Sequence, residues 1–271
     1  LALGLVLAEV PLARPVYVEL NPDWGNARQL LPRANRATVV DLLDAYAPIE
    51  RTGIGLLQSY ITMWSRLPVL TVPTDPDQAA ALGAADYERV LQLLGQYYNV
   101  ILLDCGTGYA DTLTQFGIQR ADHLVLLSSP DHGTVRTALE SARYLASTRY
   151  ERTFADRLAA LAAGGTADIR ARQLAAVTLV VNQHGRPGAG IPADLGKVRR
   201  AASALNAVLT VPHSATLATL FDDQTLTLEN LPRPVRRALK SLWVAVLDQL
   251  VAQQREAGVA AGSAPAAQEG S

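Results

Sequence analysis

The run Val100-Ile-Leu-Leu103 is apolar at every position and stops on a carboxylate, Asp104, followed at once by Cys105-Gly-Thr-Gly108. A strand with no polar face must be covered on both sides, which places this run inside a parallel sheet with helices above and below. The same holds for His123–Ser129, Ala176–Asn182 and Ala207–Pro212, while Pro15–Leu20 and Pro68–Val72 read as short buried strands. Helical spacing fills the intervals. It runs over Thr38–Tyr46, over Asp86–Tyr97 with Tyr87, Val90, Leu91 and Leu94 on one face, from about Gly133 to Ala146, and over 232–256. The alternation predicts an α/β fold with a mostly parallel sheet and helices on both faces, one domain over 1–256 and a disordered Ala/Gly/Ser/Pro tail over 257–271.

Composition narrows the function classes. Twenty-four Lys plus Arg against 25 Asp plus Glu leave a net charge of −1, which argues against binding driven by bulk charge to nucleic acid or to an anionic membrane. One cysteine excludes a disulfide framework and a Cys-cluster metal site, so a reducing, cytoplasmic compartment is expected. The apolar runs are strand-length, far short of a bilayer span.

In open parallel sheets, ligands bind beyond the carboxyl ends of the strands. Those junctions here read Glu19-Leu-Asn-Pro-Asp-Trp-Gly-Asn26, Asp104-Cys-Gly-Thr-Gly108, Ser128-Ser-Pro-Asp131, Asn182-Gln-His-Gly185 and Pro212-His-Ser214. A carboxylate at the tip of an apolar strand, with glycines that let backbone N–H groups approach an anion, suits Mg²⁺ held through water beside phosphates. Strand-end Asp followed by Gly is also ordinary turn chemistry.

Taken together and in order, these segments resemble the MinD/ParA family of deviant-Walker-A P-loop ATPases, in its actinobacterial MinD-like branch. Leu1–Glu9 is similar to the helix after the family's phosphate loop, Glu19–Asn26 to switch I, and Val100–Gly108 to Walker B and switch II. Ala121–Asp131 matches the following segment, and Asn182 and Val211-Pro212 the adenine-side loops. The resemblance implies a three-layer P-loop NTPase-like sandwich that binds ATP and Mg²⁺ and forms a nucleotide-dependent homodimer, with a protein partner the sequence does not identify. Asp104 would hold Mg²⁺ through water, Asn21 or Asp23 would position the attacking water, and Gly106, Asn182 and Pro212 would contact the nucleotide. The expected activity is hydrolysis of ATP to ADP and phosphate in a switch for positioning, partitioning or secretion. The alternative is a catalytically impaired scaffold or docking protein.

Two departures bear on catalysis. No Gly-Lys phosphate loop occurs in the sequence. Of its two lysines, Lys197 stands in a glycine context with the wrong spacing and reads as a solvated helix residue. The resemblance therefore implies a strand and glycine-rich loop upstream of Leu1; without that strand, the Walker B strand and His123–Ser129 would keep open, apolar edges. The paired aspartates of switch I appear as Glu19 and Asn21. Asn orients water but cannot accept its proton, and general-base loss is worth about 10²–10⁴-fold in rate.

Other residues take plainer readings. His123, His132, His184 and His213 lack metal-ligand spacing, Cys105 reads as packing, and Ser128 and Ser129 lack a nucleophile elbow. In the terminal helix Val235, Leu239, Leu242, Trp243, Val246, Leu247, Leu250 and Val251 form one apolar face near Arg233, Arg236, Arg237 and Lys240. That mixture suits peripheral attachment at the inner membrane face, though a docked core helix needs the same stripe. DNA contact through Arg149, Arg152 and Arg157 competes with their interleaving with Glu151 and Asp156, which reads first as a solvated face.

Overall fold

The computed structural model describes residues 1–21, 27, 37–108, 111–145, 174–188 and 191–262. They form two compact units, Leu1–Ala121 with Ser214–Lys240, and Asp122–His213 with the chain from Ser241. The expected segments Asp23 and Arg149–Arg157 lie outside the described residues.

In the first unit, β1 (Pro15–Glu19) runs parallel to β3 (Leu67–Leu70) on one side and to β4 (Val100–Asp104) on the other. β2 (Thr62–Trp64) adds antiparallel to β3, giving the order β2-β3-β1-β4. Every residue of β1 is buried, the charged Glu19 at its end included, as a strand inside a sheet covered on both faces requires. One face, carrying Val16 and Val18, packs on α2 (Val39–Asp44), α3 (Tyr46–Thr52), α6 (Ala84–Gly95) and α7 (Thr112–Arg120) through Leu42, Ile49, Tyr87, Val90, Leu94 and Phe116. The opposite face receives α1 (Ala2–Leu7), whose Gly4 sits so close that an added Cβ would lie 2.5 Å from Leu67 Cδ2 and 3.2 Å from Leu102 Cδ1. Between α3 and α6 lie the one-turn α4 (Ile54–Leu57) and α5 (Pro76–Ala81). Helix starts are capped locally: Asp41 takes the Thr38 backbone N–H at 2.7 Å, and Asp111 takes Thr114 N–H at 2.6 Å. At the far end of α1, Glu9 is paired with Arg236 and lies 3.7 Å from Lys240.

The second unit holds a parallel sheet in the order β5-β6-β7, with β5 (Leu124–Ser128), β6 (Val177–His184) and β7 (Ala207–Pro212). α8 (His132–Leu145) and α9 (Leu195–Ala201) cover one face through Val135, Ala138 and Val198 against Leu179, Val181 and Val208. At the opposite end of the sheet from the strand tips, Asn206 donates to Thr178 Oγ1 and to the Ala245 carbonyl, both at 3.0 Å, while Thr178 Oγ1 lies 2.9 Å from His123 Nε2. Lys197 is exposed on α9, 3.9 Å from Asp194.

The observed elements follow the expected α/β alternation of mostly parallel strands and flanking helices. The sequence reading passes over β2, whose hairpin turn Ser65-Arg66 has none of the Gly or Asn that announces one, although Ser65 sits at φ 55°. The 232–256 helix is observed as α11 (Arg233–Gly262), extended through an Ala-rich stretch that favours helix, and α10 (Ala215–Asp222) precedes it. β4 and β5 are edge strands of their sheets, and Leu127 on β5 is 68% exposed.

Candidate functional site

In the first unit the chemistry gathers where β1 and β4 end together. Their register pairs Tyr17 with Leu102 and Glu19 with Asp104, and Leu20 N–H donates to the Asp104 carbonyl at 2.8 Å. Side chains alternate along a strand, so Tyr17, Glu19, Leu102 and Asp104 share the face that α1 covers. Asp104 reaches solvent at the tip of β4, and its Oδ2 accepts a hydrogen bond from the Tyr17 hydroxyl. Burial first, and then the neighbouring Asp104 charge and hydrogen bond, hold the Tyr17 phenol far above its ordinary pKa, so it remains a donor.

Glu19 stands where the resemblance sets the first switch I aspartate. It is 2% exposed, and its two oxygens accept backbone N–H groups of Ala27 and Val72, each at 3.2 Å. A buried carboxylate engaged in this way pins the chain after β1 to the end of β3. Tyr87 adds a second tie by donating to the Glu19 carbonyl at 3.0 Å.

Beyond Asp104 the chain turns through Cys105 and Gly106. The Cys105 thiol packs over α7, where a Cβ on Gly117 would meet Sγ at 2.5 Å, and burial pushes its pKa up to about 12. Gly106 is approached by Asn21: a Cβ there would lie 3.2 Å from Asn21 Oδ1 and 3.4 Å from Thr114 Oγ1. Asn21 and Gly106 therefore lie together beside the strand tip that carries Asp104. Thr114 was not foreseen. Its hydroxyl is buried with no hydrogen-bond partner among the described residues.

In the second unit Asn182 and Pro212 stand at the carboxyl ends of adjacent strands. Val181 pairs with Thr210 and His184 with Pro212, so Asn182 and Gln183 together oppose Val211 in a bulge, with Gln183 at φ 53°. Asn182 Oδ1 accepts the Gln183 N–H at 2.9 Å, which orients the amide at the strand tip. Nearby, Asp131 caps α8 through the Thr134 N–H at 3.0 Å and its hydroxyl at 2.7 Å, and these bonds hold the Asp131 carboxyl below its usual pKa.

The donor set at β4 is one strand-tip carboxylate with an amide and a hydroxyl beside a glycine turn. That suits a cation that keeps most of its water, as Mg²⁺ does, and not an all-protein cage. Among the described residues no group of three or more His, Cys, Asp or Glu side chains converges, and no helix is long and apolar enough to cross a membrane.

No protein-family profile matches the chain. Over 151 residues, 55% of its length, it is 26% identical to the ESX-1 secretion-associated protein EspI of Mycobacterium tuberculosis, a match that spans 22% of that relative. Its fold is similar to that of a ParA family ATPase from Chlorobium tepidum, with a TM-score of 0.63 over 90% of this chain and 89% of that one at 11% identity. The septum site-determining protein MinD complexed with Mg-ADP from Pyrococcus horikoshii aligns with a TM-score of 0.59 over 96% and 90% of the two chains at 13% identity. A McdA–ATP complex from Cyanothece aligns at 0.54 over 90% and 88%, at 12% identity. With parallel sheets flanked by helices and these neighbours, the chain has a MinD/ParA-like fold of the P-loop NTPase kind.

Proposed function

We propose that the chain is the nucleotide-binding core of a MinD/ParA-like ATP switch. The observation that carries this reading is the meeting of Asp104, Gly106 and Asn21 at the carboxyl end of a parallel sheet of that fold. In this reading Asp104 holds Mg²⁺ through water, and the glycine at 106 keeps the turn open to the phosphates. Asn21 or Asp23 orients the attacking water. Asn182 and the loop from Pro212 take the adenine. Mg²⁺ supplies charge neutralisation on the phosphates when bound.

Likeness to EspI, itself described as secretion-associated, favours a switch that serves a secretion apparatus over one for septum placement or DNA partition. The switch works as a nucleotide-dependent homodimer in the cytoplasm, in contact with a protein partner. The test is ATP binding and turnover by the full-length protein. Mg²⁺-dependent binding that Asp104→Ala removes is the expected result, and turnover that survives Asp104→Ala refutes the magnesium assignment.

A second reading, a scaffold that binds nucleotide without turning it over, draws on the amide at position 21, since Asn cannot take the proton from water. In that case Asn21→Asp raises turnover, within the roughly 10²–10⁴-fold that a general base contributes. A full-length protein that neither binds nor hydrolyses ATP leaves only the docking role.

A further inference from the structure

Asp104 is exposed, yet its carboxylate does not turn freely with solvent, because Oδ2 is taken by the Tyr17 hydroxyl from the neighbouring strand. Tyr17 lies opposite Leu102, two residues before Asp104, and an aromatic side chain spans that diagonal between paired strands. The ring is 3% exposed and lies on the face that α1 closes through the tight approach of Gly4 to Leu67 and Leu102. Packing therefore fixes the ring, and the ring fixes the carboxylate. A tyrosine whose only task was to fill the core would not need its hydroxyl aimed at the strand tip, and a phenylalanine would pack as well.

We infer that Tyr17 is a positioning residue for Asp104, holding the carboxylate by Oδ2 so that Oδ1 is the oxygen offered to the water shell of a nucleotide-bound Mg²⁺. The inference rests on the nucleotide-switch reading above. An exposed aspartate samples several rotamers, and a ligand must select one of them. A hydrogen bond from a buried donor makes that selection in advance, as outer-shell partners do for metal ligands generally.

The test uses the full-length protein with Tyr17→Phe, Asp104→Asn and the double variant. Each is titrated with a fluorescent methylanthraniloyl ATP at varied Mg²⁺ and again in EDTA. Tyr17→Phe is expected to raise the Mg²⁺ concentration needed for half-maximal nucleotide binding about tenfold. It leaves binding in EDTA unchanged and has no further effect in the Asp104→Asn background. Equal losses with and without Mg²⁺, or full additivity with Asp104→Asn, overturn the assignment and leave Tyr17 a packing residue. If Tyr17→Phe melts too low to titrate, 3-fluorotyrosine at position 17 keeps the ring and alters the donor. A Mg²⁺ midpoint that it does not move also overturns the assignment. Wild-type protein that binds nucleotide without regard to Mg²⁺, or does not bind it, overturns the underlying reading, a result seen before any variant is made.

Discussion

Asn21 lies against Gly106, with its Oδ1 3.2 Å from where a Cβ on that glycine would stand. The two residues follow adjacent parallel strands, so the close approach joins the ends of β1 and β4. Gly106→Ala is expected to push the Asn21 amide aside by a few tenths of an ångström and to crowd Thr114, lowering stability by about 1 kcal/mol in urea denaturation. On the proposed function its loss of Mg²⁺-nucleotide affinity exceeds what that loss of stability explains, and an unchanged affinity would count against a role for this turn.

Acid should weaken the fold through His123. Its ring is half-buried beside Thr178, and desolvation pushes its pKa down from 6.5 to about 4. The unfolded chain then takes up this proton near pH 6.5 and the folded chain only near 4, so the contribution is complete above pH 6.5 and is lost as pH falls toward 4. Thermal melts of wild type and His123→Gln between these limits separate this effect from that of the carboxylates. The wild-type melting temperature falls more steeply, and parallel curves would refute the assignment.

Cys105 should resist alkylation in the folded protein. With the thiol half-buried and its pKa pushed up to about 12, iodoacetamide labels it slowly at pH 8 and readily once urea unfolds the chain. Rapid labelling of the native protein would show that the turn after β4 opens.

Leu12 offers a stabilising change. It is 92% exposed and sits at φ 70°, where a side chain gains nothing from burial and carries the strain of the left-handed region. Leu12→Gly relieves that strain but loosens the unfolded chain, and the balance should raise stability by about 0.5–1 kcal/mol in denaturant titration.

How far the sequence foretold these features depends on what kind of signal each leaves. β4 and Asp104 were legible because an unbroken apolar run that stops on a carboxylate has few other uses. Asn182 was legible as a strand-end residue, with its nucleotide role only implied by the resemblance, and the bulge that orients it is a matter of pairing and not of composition. Tyr17 could not be found. Within Pro15–Leu20 it reads as one more core residue, and only the register that sets it beside Leu102 and Asp104 gives its hydroxyl a purpose. Glu19 was visible as an acidic residue at a strand end, but its burial and its two backbone donors come from segments 8 and 53 residues away. Helix α7 escaped notice because Thr112–Arg120 carries only a weak apolar face, and with it went Thr114.

The packing of Cys105 against Gly117 has a consequence for how the sequence can drift. With Sγ only 2.5 Å from the missing Cβ, these two positions share one volume, and neither can enlarge alone. Homologues that carry alanine or serine at 117 are therefore expected to carry glycine or alanine at 105. The length of the side chain after the strand-tip aspartate would then be inherited together with the surface of a helix a dozen residues downstream.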